Sequence, residues 1–153
     1  MHYLGVNIGK KLNIGLFEST IFNSGNNYNP AYLVPVILYR TVNQGIDANG
    51  HKTALGLNFR YLPVKNVQVY GQFYANSVDL QGISQGSWKN QFATQLGVKY
   101  FDAFTLPNLD LQLEWNRVRP YTYAAMDSVV NYTHYNQPLA HPMESSFNEI
   151  ILS

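Results

Sequence analysis

Four segments of the chain alternate apolar and polar residues over about ten positions each, and they form two consecutive hairpins: Lys52–Leu62 with Asn66–Ser77, and Gln91–Phe101 with Leu109–Val118. In the last segment Leu109, Leu111, Leu113 and Trp115 take one parity, and Asp110, Gln112, Glu114 and Asn116 take the other. Side chains change face at every residue of a strand, so this pattern gives a sheet with one greasy face and one polar face. Length narrows the choice further. Strands of soluble sheets usually run about five or six residues. About ten residues rise roughly 33 Å and, tilted near about 45°, match the apolar band of an outer-membrane barrel. The expected fold class is all-β: an antiparallel up-and-down transmembrane β-barrel, partial, with about seven to nine strands of a larger barrel and long polar outer loops. Residues 1–153 are expected to form part of a single barrel domain.

Composition agrees with this expectation. Charged residues make up 12% of the chain, about half the usual share in a soluble domain. Aromatic residues make up 14%, enough to furnish interfacial girdles. A net charge of +1 argues against an electrostatic nucleic-acid binder. With no cysteine, a disulfide scaffold and thiolate metal sites are excluded as well. No apolar run reaches the roughly 18 residues of a transmembrane helix, and a barrel would not show one because its apolar residues are interleaved. Met1 runs directly into the strand-like His2–Ile8 without the pattern of a signal peptide, and Ile150-Ile151-Leu152-Ser153 ends as another strand begins. The chain is therefore expected to be a fragment, truncated at both ends, of a longer exported protein.

A first hairpin is expected from Leu4, Val6 and Ile8 through Gly9-Lys10-Lys11 to Leu12, Ile14 and Leu16. Residues 19–50 are rich in Asn, Gly and Pro, which favour turns; within them Tyr32–Arg40 is expected as a short strand or helix, between which periodicity does not decide. The connections alternate short and long, as in outer-membrane barrels. The turns near Lys10, Pro63 and Pro107 would then be periplasmic, and the loops around Asn26, Gly82 and Tyr132 would face outward. Leu55, Leu57, Phe59, Val67, Val69, Phe73, Phe92, Leu96, Val98, Leu111 and Leu113 are expected to meet lipid. A lumen polar network is expected from Arg60, Gln72, Gln95, Lys99, Asp110, Gln112 and Glu114, joined on that face by Asn58 and Gln68. A charge turned to lipid at mid-depth would cost roughly 2–4 kcal/mol, and this arrangement avoids it. Lys99 and Asp110 lie on paired segments, where a lumen salt bridge is expected.

No complete catalytic constellation is visible, so no enzyme activity is expected. His134 and His141, with Glu144 and Glu149 nearby, lack a recognised metal-ligand spacing, and neither metal nor cofactor is expected. Gly82-Ile83-Ser84-Gln85-Gly86 matches the nucleophile elbow by letters, without the preceding strand and following helix that the elbow needs. Asp110 and Glu114 stand roughly 13 Å apart along a strand, wider than glycosidase carboxyl pairs.

Leu109–Tyr123 and Asn131–Pro142, the latter reading Asn-Tyr-Thr-His-Tyr-Asn-Gln-Pro-Leu-Ala-His-Pro, together resemble the Wzi-like capsule assembly family, in its Bacteroidetes branch with gliding-motility proteins of the RemB type. Pro35–Arg40 and Val69–Phe73 resemble the same family. Met143-Glu144-Ser145-Ser146-Phe147 departs from it where a Leu-Gly-Ala-Asn-Phe-like stretch belongs. The resemblance implies a large barrel in the bacterial outer membrane that contacts outer-membrane lipid and binds capsular or extracellular polysaccharide, with other surface proteins as further partners and no nucleic acid. The alternatives are an adhesion or gliding component that binds a protein, or a small soluble or pore-forming barrel. Sugars present apolar faces and many hydroxyls, which flat phenols and amides read well. Candidate polysaccharide contacts are Asn43, Asp47, Trp88, Tyr121, Tyr123, Tyr132, His134, Tyr135, Asn136, Gln137 and His141.

Overall fold

The structure, a computed structural model, describes residues 1–22, 51–77, 91–123, 133–134, 137–138, 141–143 and 145–153. Its strands are β1 (His2–Ile8), β2 (Leu12–Phe22), β3 (His51–Val64), β4 (Val67–Ser77), β5 (Gln91–Tyr100), β6 (Leu111–Val118), β7 (Thr133–His134), β8 (Gln137–Pro138) and β9 (Phe147–Leu152). Seven of them form one antiparallel sheet in the order β1-β2-β3-β4-β5-β6-β9, and β7 pairs with β8 in a separate two-stranded ribbon. The fold is all-β, and among the described residues β1 and β9 are the two edges of an open sheet.

The hairpin turns follow from local chemistry. Gly9 takes φ +62 between β1 and β2, a left-handed position suited to a residue without Cβ. At the end of β3 the ladder slips between Tyr61 and Val64. Pro63 falls in that irregularity, where its missing N–H breaks no ladder bond. β3 thus runs two residues past the Leu62 boundary suggested by the alternation. Between β5 and β6 the chain makes a 3-10 turn at Ala103–Thr105, with Asn108 N–H donating to Asp102 Oδ1 at 3.0 Å.

The cross-strand register extends the alternation across the whole sheet. One row on the first face reads Ile8, Leu12, Tyr61, Val69, Val98, Leu113 and Leu152. Its neighbour reads Val6, Ile14, Phe59, Gly71, Leu96, Trp115 and Ile150. This apolar stripe ends at Glu18 on β2 and at Thr94, Arg117 and Asn148 on β5, β6 and β9. Trp115 keeps its ring on the apolar face while Nε1–H donates to Asn148 Oδ1 at 2.6 Å. The indole therefore carries no orphan donor.

Burial runs opposite to the pattern of a water-soluble sheet. On interior strands Leu16 is 52% exposed, Leu96 44% and Leu113 52%, whereas Glu114 and Asn116 on the other face are 8% and 4% exposed. The polar face is the enclosed one. Glycines make the enclosure possible. The Tyr70 ring from β4 crosses Gly97 on β5 and reaches Glu114 on β6, all in one cross-strand row. In the same way Phe17 lies over Gly56, and Tyr3 over Gly15 towards Asn58. A Cβ at Gly15, Gly56 or Gly97 would overlap the aromatic side chain. Glycine within a strand marks such close approaches.

Candidate functional site

Two adjoining rows on the polar face build a cleft. The first is aromatic and apolar: Phe17, Gly56, Tyr74, Ala93, Val118 and Phe147. The second is a ladder of amides ending in a carboxylate: Asn58, Gln72, Gln95, Asn116 and Glu149. Where the rows meet lies a cavity of about 290 Å³, walled by Phe17, Tyr74, Tyr123, His141 and Phe147, with Gln72, Gln95 and Asn116 among its polar lining.

Two walls come from outside the meander. After β6 the chain turns sharply at Arg119. Arg119 N–H donates to Phe92 O at 3.1 Å, and Thr122 Oγ1–H lies 2.7 Å from Arg119 O and 3.2 Å from Phe92 O. Thr122 is fully buried by this closure, which sets Tyr123 against Tyr74 with ring centroids 5.8 Å apart. On the other side His141 stacks on Phe147 at 4.5 Å between centroids. Its Nδ1 accepts from Met143 N–H at 3.3 Å, so the proton on Nε2 goes to Glu149 Oε2, 3.1 Å away.

Beneath the cleft Glu114 organises the polar face. Its Oε2 accepts from Tyr70 OH and from Gln112 Nε2 at 3.3 Å. Its Oε1 accepts from Gln95 Nε2 at 3.0 Å and from Asn116 Nδ2 at 2.8 Å. Asn116 Nδ2 also donates to Glu149 Oε2 at 3.4 Å, which links the two carboxylates through one amide. Lys99 Nζ stands 5.6 Å from the Tyr70 ring centroid, within cation–π range. A buried carboxylate is tolerated when its lone pairs are filled by donors, and Glu114 has four.

Of the residues singled out in the sequence, the structure brings Gln95, Lys99, Gln112 and Glu114 together around Tyr70, and places Gln72, Tyr123 and His141 at the cleft. Tyr121 is exposed at φ +61. Arg60 is exposed on the polar face, beside Asn13 and Tyr70 in the register. Asp110 departs from expectation: β6 begins one residue later, at Leu111, and Asp110 instead accepts from Asp102 N–H at 3.2 Å in the turn. The Lys99–Asp110 salt bridge is not formed, because the register pairs Lys99 with Gln112. Asn43, Asp47, Trp88, Tyr132, Tyr135 and Asn136 lie outside the described residues, as do Tyr32–Arg40 and Gly82–Gly86. For His134 and Gln137 only the backbone pairing of β7 with β8 is described.

Sequence reasoning missed Phe17, Tyr74, Asn116 and Phe147 as cleft residues. The available signal was the run of strand glycines on the polar parity, Gly15, Gly56 and Gly97, each of which marks a place where a ring crosses.

No protein-family model, no curated protein and no solved structure matches the chain.

Proposed function

We propose that this chain is part of a bacterial outer-membrane β-barrel of the Wzi-like capsule assembly type, non-enzymatic, which binds capsular or extracellular polysaccharide at the cell surface. The observation that carries the membrane part is the inverted burial, with Leu16, Leu96 and Leu113 exposed opposite the buried Glu114 and Asn116. Water gives a sheet no reason to bury a carboxylate while leaving a continuous apolar stripe in solvent. Lipid supplies that reason, because alternating strands then turn apolar residues to hydrocarbon and polar ones to the lumen. In such a barrel the outer edges of β1 and β9 pair with further strands, since an open edge does not persist in hydrocarbon. The polysaccharide part is supported by the cleft, where stacked rings border an amide ladder.

Trp115 offers a direct test because it sits on the apolar face between Leu96 and Ile150. In the full-length protein, refolded into vesicles with Trp115 left as its sole tryptophan (Trp88→Phe among the replacements), Trp115 fluorescence should fall when the acyl chains are brominated, and should resist aqueous acrylamide. Quenching by acrylamide without quenching by bromolipid would refute the membrane assignment. For the ligand, the same protein should be retained on immobilised capsular polysaccharide, and Tyr123→Ala should weaken retention.

A further inference from the structure

Resting on the polysaccharide-binding reading above, we infer that the cleft selects uncharged glycans, rich in hydroxyl or acetamido groups, and rejects uronate or sulfated ones. The selection is set by Glu114, which the ligand does not touch. An ionised carboxylate only accepts hydrogen bonds, so the amides around it must turn their N–H groups inward. Gln95 Nε2 and Asn116 Nδ2 both do this, and Asn116 shares its amide nitrogen with Glu149 as well. With these protons spent, Asn116 has only its carbonyl oxygen left for a ligand, and Gln95 has its carbonyl oxygen and a single N–H. Carbonyl oxygens suit the hydroxyl hydrogens of a sugar or the N–H of an acetamido group. They repel a carboxylate or sulfate, which needs donors.

The remaining wall chemistry acts in the same direction. Among the described residues no lysine or arginine lines the cleft. Lys99 is committed to the Tyr70 ring, and the Arg119 guanidinium sits 5.5 Å from the centroid of the Phe92 ring. His141, the wall residue closest to a cation in character, directs its Nε2 proton to Glu149 rather than outward. An anionic sugar entering here would lose hydration above a floor held by the Glu114 and Glu149 carboxylates and meet no cationic side chain among the described lining residues, and a charge so placed is disfavoured. A neutral pyranose would stack on Tyr123 or Phe147 and donate to Gln95 and Asn116. The volume of about 290 Å³ is at the small end for ligand pockets. It suits one sugar ring of a chain that runs on past the cleft.

The test uses the full-length protein, refolded in detergent, against a panel of neutral and acidic polysaccharides. Any neutral glycan that binds is then compared with its own C6-oxidised form, in which hydroxymethyl becomes carboxylate and the linkages are unchanged. The expected result is binding to neutral members and a loss of about ten-fold or more on oxidation, since every 1.4 kcal/mol is about ten-fold. Gln72→Lys places a cation at an exposed position of the cleft lining, and it should recover much of the binding to the oxidised form. Preferential binding of acidic glycans by the unaltered chain would overturn the inference while leaving polysaccharide binding intact. No binding to any member would overturn both.

Discussion

Replacing Gly97 by alanine tests the central feature of the polar face. A glycine-to-alanine change inside a strand ordinarily stabilises by about 0.5–1 kcal/mol, because alanine has less backbone freedom to lose. Here the sign should reverse. Gly97 is buried between Tyr70 and Glu114 in one cross-strand row, and a Cβ there would overlap the Tyr70 ring. Two responses are open to the ring. It can stay and force neighbouring backbone to shift, at about 1–3 kcal/mol for overpacking. It can also swing away and lose its bond to Glu114, at about 1.5–3 kcal/mol for a hydrogen bond to a charged group. Set against the backbone gain, either response leaves Gly97→Ala destabilised by about 1–2 kcal/mol. Urea unfolding of the full-length protein folded in detergent, followed by tryptophan fluorescence, measures this as a lower midpoint at unchanged slope. In a Tyr70→Ala background the ring is gone, and the same Gly97→Ala change should be neutral or mildly stabilising, so the double-mutant cycle should return a coupling of about 1.5 kcal/mol or more. An unchanged or raised midpoint for Gly97→Ala alone, or additive effects in the cycle, would refute the seating of Tyr70 over Gly97.

Glu114→Leu removes the acceptor for Tyr70, Gln95, Gln112 and Asn116; with each stranded buried donor worth about 1–3 kcal/mol, the chain should fall below its folding threshold or lose at least about 3 kcal/mol in the urea assay. Leu113→Arg puts a charge on the exposed apolar face; it should lower stability in vesicles by about 2–4 kcal/mol if that face meets hydrocarbon, and a change within about 0.5 kcal/mol would place it in water. Thr122→Val removes the hydroxyl that bonds Phe92 O and Arg119 O and so frees Tyr123 from Tyr74; stability should drop by about 1 kcal/mol while affinity for a bound glycan falls more steeply, which calorimetry on the same sample resolves.

Strand positions and face assignments were legible in the sequence because they depend on a period of two read within one segment. Lys52–Leu62 and Asn66–Ser77 differ from β3 and β4 only at their ends, and the parity of Leu57, Gln72, Leu96 and Glu114 is that of the register. Boundaries slipped where turn geometry decided them. Pro63 was absorbed by an irregularity at the end of β3, and Asp110 was drawn into the turn by Asp102. Residues 147–152 gave only the hint of a starting strand, yet they form a full partner for β6, because edge pairing depends on a distant strand rather than on the segment itself.

The cleft shows the same division. Aromatic and amide residues in quantity, and His141 and Tyr123 among them, were visible in the sequence. Nothing local says that Phe17, Tyr74 and Phe147 share one cross-strand row or that Asn58, Gln72, Gln95 and Asn116 share the next. What the sequence determined by itself was the two-faced all-β sheet, since alternation is a property of consecutive residues. Only the tertiary structure decided which residues meet, which face is enclosed and where the amide protons point. Register, ring-over-glycine contacts and the filling of a buried carboxylate are set between strands that the chain brings together from far apart.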